Sequence, residues 1–133
     1  MAIDVTHYIS VEAAICIHIL LMREWRESHF GVDRKDLLES ALNRPRHAEN
    51  FVDADIPHQA ATLCFGLIKN HPWIGGNKRT ATFLMEIFLK LNNLILDATD
   101  EEIHKMALCV ESDSWKVVDI ERWLGSLVTD LNA

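Results

Sequence analysis

Hydrophobic positions recur at helical spacing along most of the chain, and their interruptions divide it into segments. From Ser10, a residue type that caps helix starts, Val11, Ala14, Ile15, His18, Ile19, Met22 and Trp25 fall on one face, which predicts a first helix lying on the core. Asp33 is placed to cap a second helix bearing Leu37, Leu38, Ala41 and Leu42, and Pro45 predicts its end soon after Asn43. The polar, proline-bounded stretch "RPRHAENFVDADIP", from Arg44 to Pro57, then reads as a long exposed loop or a short hairpin. Pro57 opens a helix with Ala60, Ala61, Cys64, Leu67 and Ile68 on its apolar face, ending near Asn70.

The stretch "KRTATFLMEIFLKLNN" is apolar nearly all round, the pattern of a central buried helix, and Asn92 and Asn93 suit its end because they tolerate left-handed backbone. "LIL" at 94–96 has the length and composition of a short strand. Thr99 and Glu102 form a capping box for a helix running through Cys109. Asp119 is expected to cap a last helix carrying Ile120, Trp123, Leu124, Leu127, Val128 and Leu131 as one stripe. There is no internal repeat. The expected fold is therefore a single all-α domain over 1–133, a compact bundle of about six helices.

Composition narrows the function classes. The chain has 133 residues, 20 acids against 13 Lys and Arg, and a formal net charge of −7. Nucleic-acid and anionic-membrane surfaces need clustered Lys and Arg, so neither partner is expected, and any anion site must be local. Cys16, Cys64 and Cys109 are far apart in apolar runs, as reduced core thiols would be. The start "MAIDVTHYIS" has no basic leader pattern, and no apolar run reaches about 18 residues, so a cytoplasmic protein is expected. His7, His29, His47, His58 and His104 form no metal-ligand spacing, His18 reads as a core histidine, and Trp25, Trp115 and Trp123 as core tryptophans.

One region departs from the acidic background. From Ile56 to Met85, thirty residues carry no Asp or Glu. Within them, "HPWIGGNKRT" places Gly75 and Gly76 before a helix whose first turn holds Lys78 and Arg79. Cations there oppose the helix dipole, so an anionic ligand is the physical reason to have them. The glycines let that ligand approach free backbone N–H groups, and Arg and Lys add charge. His71, a few residues upstream, is placed to serve as general base, or simply to cap the preceding helix.

"HPWIGGNKRTA" resembles the signature of the Fic/Doc superfamily: His, Pro, an aromatic, two variable positions, Gly or Ala, Asn, Gly or Lys, and Arg. "YISVEAAICIH", "DLLESALNRP" and "AATLCFGLIKNHPW" resemble blocks found in the same order in death-on-curing (Doc) toxins. The resemblance implies a Fic/Doc bundle with ATP as cofactor, His71 as base, Gly76 and Asn77 shaping the anion nest, and Lys78 and Arg79 on phosphate. It also implies that the 44–57 flap aligns a target peptide. Fic adenylyltransferases usually have Gly where this chain has Lys78 and a second Arg where it has Thr82, so the Doc branch fits better. That branch implies transfer of the terminal phosphate of ATP to a threonine of elongation factor Tu, stopping translation. Adenylyl transfer and a catalytically inactive antitoxin-binding homologue are the alternatives. The self-inhibiting pattern of many Fic proteins is missing, Pro45 standing at its hydroxyl position before Glu49 and Asn50, so control is expected from a separate antitoxin.

Gly75 departs from the family pattern. Most members have Asp or Glu there, a ligand for Mg²⁺ on the phosphates, and glycine supplies none. The chain then reads as an enzyme with water in the ligand's place, a homologue that only binds, or a disarmed toxin. If only the ligand is missing, Gly75→Asp should restore metal-dependent transfer; if the backbone needs glycine, it should not.

Overall fold

The computed structural model describes residues 5–132; Met1–Asp4, where the leader-free reading begins, and Ala133 lie outside them. Among the described residues there are six helices: α1 (Val11–Glu24), α2 (Lys35–Val52), α3 (Ile56–Asn70), α4 (Asn77–Leu91), α5 (Asp100–Glu111) and α6 (Val117–Gly125). Two short strands, β1 (Leu94–Leu96) and β2 (Val128–Asp130), complete the all-α fold.

Several starts follow the sequence logic. The Ser10 side chain accepts from the Ala13 N–H, and Thr99 and Glu102 form a reciprocal capping box on α5. Asp55 caps α3 by accepting from the His58 N–H, with Pro57 just inside. Two expected caps shift. Asp119 is not the cap of α6 but its third residue, and its carboxylate accepts from the Lys116 N–H. Arg34, not Asp33, precedes α2 and gives no side-chain cap. The backbone N–H groups of both Asp33 and Arg34 are directed instead onto the Pro72 carbonyl at 2.9 and 3.0 Å.

The largest difference is the expected flap. α2 does not stop at Asn43 but continues through Pro45 to Val52, so only residues 53–55 connect it to α3. An interior proline costs a helix about 3 kcal/mol. Here the cost is offset by packing, since Pro45 is buried with Leu38, Ala41 and Leu42 on the face toward α3. Polar residues that looked loop-like face the N-terminal segment. Glu49 accepts from the Thr6 and Tyr8 hydroxyls, and the Arg46 guanidinium lies 4.5 Å from the Tyr8 ring centroid. The helix ends at Asp53, in left-handed backbone.

The central helix is α3, not α4. Nine of its fifteen residues are buried, against six of fifteen in α4, whose Phe83 and Leu91 are exposed. Around α3 pack Leu38 and Leu42 of α2, Leu84, Met85 and Phe88 of α4, Met106 and Val110 of α5, and Ile120 and Leu124 of α6. The expected stripe of the last helix breaks at Gly125: Val128 belongs to β2, which pairs antiparallel with β1 in the register Leu94↔Asp130 and Leu96↔Val128. No helix among the described residues is long and apolar enough to cross a membrane.

Candidate functional site

The loop 71–76 joins the central helix to α4, and its shape is fixed from behind. Trp73 is 2% exposed and stacks on the buried His18 ring at 4.1 Å and 11°. The Gly31 N–H donates to His18 Nε2 at 3.0 Å, so the ring proton sits on Nδ1 and is donated to Thr80 Oγ1 at 2.9 Å. Burial pushes the His18 pKa down to about 4, which keeps this tautomer neutral. His18 thus joins α1, the α1–α2 connection and α4, a larger task than the core histidine expected from the sequence.

The α1–α2 connection is attached to the loop along its length. Val32 and Trp73 form an antiparallel bridge, and the Ile74 N–H donates to the Gly31 carbonyl at 2.9 Å. Asn77 closes the loop on itself: its Oδ1 accepts from the Trp73 N–H at 3.0 Å and its Nδ2 donates to the Trp73 carbonyl at 2.9 Å.

Gly76 is dictated first by its backbone conformation and Gly75 by close approach. Gly76 has φ +70°, and a Cβ there would lie 2.5 Å from Met22 Sδ. Gly75 has no such φ, but a Cβ on it would lie 2.6 Å from the His29 carbonyl oxygen. A real Cβ is not accommodated so close to backbone. The α1–α2 connection crosses Gly75 closely, which favours the second reading of this position, that the backbone needs glycine.

On the open side, α4 begins with Gly76 as N-cap and no acid in the first turn. Its first intrahelical bond is the Thr80 N–H to the Gly76 carbonyl, 2.9 Å, so the N–H groups of Asn77, Lys78 and Arg79 have no acceptor among the described residues. Lys78 Nζ donates to Glu111 at 2.9 Å, holding that carboxyl below the usual range. Arg79 donates to Glu27 at 3.0 Å, and its guanidinium lies 4.1 Å from the Trp25 ring centroid. Trp25, expected in the core, is 54% exposed and serves as a platform for that cation. His71 is the C-cap of α3 at φ 47°, so its backbone ends that helix while its exposed side chain borders the cleft.

The expected site residues His71, Gly76, Asn77, Lys78 and Arg79 come together along one cleft of about 570 Å³. Gly75 does not line it. Leu21, Trp25, Phe83, Ile103 and Ala107 supply apolar surface, and Glu86, Asp100 and His104 polar groups. Glu86 lies seven residues beyond Arg79, about 10 Å along the α4 axis. Burial raises its carboxyl above the usual range, with Asp100 adding to the effect and Lys90 opposing it. Sequence reading missed Glu27, Glu86, Asp100, His104 and Glu111, which come from segments without a motif.

At the position where the resemblance expects a magnesium ligand the residues do not fit one: Gly75 offers no oxygen, a Cβ there would lie 2.6 Å from the His29 carbonyl oxygen, and the nearby carboxylates Glu27 and Glu111 are ion-paired to Arg79 and Lys78.

A sequence model described as the Fic/DOC family matches residues 8–89, more than half of the chain and including the whole nest. No curated protein matches the chain.

Proposed function

Because the chain belongs to the Fic/DOC family, whose members generally transfer nucleotide or phosphate groups to proteins, we propose that its cleft binds ATP and passes the terminal phosphate to a protein hydroxyl. The observation that carries this reading is the convergence of His71, Lys78 and Arg79 on one cleft, at a helix start whose Asn77, Lys78 and Arg79 N–H groups have no acceptor among the described residues. Lys78 and Arg79 leave Glu111 and Glu27 and turn to phosphate oxygens, and the N–H groups take further oxygens. His71 removes the proton of the attacking hydroxyl as the new O–P bond forms. The bond from the terminal phosphorus to the bridging oxygen breaks, and ADP leaves with the electron pair. The proposed target is a threonine of elongation factor Tu, and the proposed setting is a Doc-type toxin blocking translation in the cytoplasm under control of a cognate antitoxin.

One observation favours a second reading, a catalytically silent homologue that works by binding an antitoxin: both cations already have carboxylate partners, and Gly75 gives no carboxylate at the usual acidic position. ATP labelled at the terminal or the innermost phosphate, incubated with elongation factor Tu, separates the readings. Terminal label on the target, lost about 10²- to 10⁴-fold in His71→Ala, supports kinase transfer. Innermost label means adenylyl transfer, and no label with retained antitoxin binding means the silent homologue.

A further inference from the structure

The nest brings two cations and a helix N-terminus together, and beside it a Cβ on Gly75 would lie 2.6 Å from the His29 carbonyl oxygen. The obstruction at Gly75 comes from backbone, not from a side chain able to swing away. The segment supplying it is tied down by the bond from the Ile74 N–H to Gly31, by those from Asp33 and Arg34 to Pro72, and by the Gly31 N–H on His18. An acid at that position requires a shift of the connection that shapes the nest. The carboxylates at the rim, Glu27 and Glu111, are ion-paired to the very cations a phosphate would use.

Charge then decides which form of the ligand fits. A fully ionised triphosphate meets Lys78, Arg79 and the roughly half-charge of the α4 N-terminus. With a divalent cation bound, the same ligand has lost about half its negative charge and is attracted less by these groups, and an ion already held by phosphate and water gains no carboxylate at Gly75 in exchange. Resting on the nucleotide reading above, we propose that the cleft takes its polyphosphate as the uncomplexed anion, and that magnesium competes with binding instead of assisting it.

The test is calorimetric titration of the protein with ATP and with inorganic tripolyphosphate, each in EDTA and in magnesium in excess over ligand. Tripolyphosphate isolates the nest from any contribution of the base. The expected result is binding about three- to tenfold tighter in EDTA. Binding that tightens on adding magnesium overturns this inference and leaves the nucleotide reading standing, whereas no binding of ATP in either buffer overturns both. Glu27→Gln and Glu111→Gln supply a second measurement: each should tighten binding in EDTA by removing a competing anion. Loss of a magnesium-dependent component in either variant would identify that carboxylate as a metal ligand and refute the proposal.

Discussion

Two tryptophans frame the proposed anion nest, and they are opposites. Trp73 is buried behind the loop and stacks on a neutral histidine whose two nitrogens both have partners. Trp25 is exposed in front of it and carries a guanidinium that is also paired to a carboxylate. Behind the loop, hydrogen bonds run from the protein to itself and fix a shape. At the rim, the contacts are between exposed charges that a ligand can exchange at little cost. A site that binds anions needs both, since a mobile nest would not keep its N–H groups aimed and a rim locked as firmly as the scaffold could not exchange partners.

The strongest way to break this contrast is Trp73→Ala. Removing a buried tryptophan typically costs about 3–5 kcal/mol, and here it also leaves one face of His18 without its stacking partner. Denaturant unfolding should show the loss. A change below about 1 kcal/mol would mean that the scaffold is looser than its geometry implies.

Next in size is the response to acid. The His18 pKa falls from 6.5 in the unfolded chain to about 4 in the folded protein, so the unfolded state binds the extra proton over that range. The stability from the neutral ring is fully present above pH 6.5 and is lost as pH falls through about 4. At about 1.4 kcal/mol per unit, the contribution is roughly 3 kcal/mol. Stability against pH should fall over this window, and His18→Asn, less stable at neutral pH, should lack that part of the slope. An identical slope in the variant would assign the acid sensitivity to other groups.

Gly75→Asp comes third. Overpacking against backbone typically costs about 1–3 kcal/mol, and the contact here is with the His29 carbonyl, in the connection that the bridge between Val32 and Trp73 holds against the loop. The variant should be less stable and gain no magnesium-dependent ligand binding. Unchanged stability together with new metal dependence would show that only the carboxylate was missing.

How much of this was legible in the sequence follows from how far apart the interacting residues lie. The nest was readable because Gly76, Asn77, Lys78 and Arg79 are consecutive and His71 is one turn of loop away. The caps at Ser10 and Thr99 were readable for the same reason. α2 was cut short because Pro45, Arg46 and Glu49 look like a loop until Thr6 and Tyr8 are brought against them from more than thirty-five residues away. Leu127, Val128 and Leu131 continue a helical spacing in the sequence, and the strand is selected only by pairing with β1. The reason for Gly75 was invisible, since a single carbonyl of an irregular segment has no sequence signature.

The smallest expected effect belongs to Trp25→Ala, and it sharpens the contrast with Trp73 most directly. Trp25 is 54% exposed and belongs to no core cluster, so its removal should change folding stability by less than about 1 kcal/mol. Its work at the rim is to hold the Arg79 guanidinium over the cleft, and an exposed cation–π contact contributes about 0.5–1 kcal/mol. Losing it frees Arg79 to follow Glu27 into solvent and should weaken tripolyphosphate binding about two- to fivefold. Trp25→Phe keeps a smaller aromatic face and should recover part of the affinity. Calorimetry on the two variants, beside their unfolding curves, distinguishes a rim residue from a structural one. Affinity lost without stability supports the platform role, whereas stability lost as heavily as in Trp73→Ala would mean that both tryptophans belong to the scaffold and that the nest has no separate exchangeable rim.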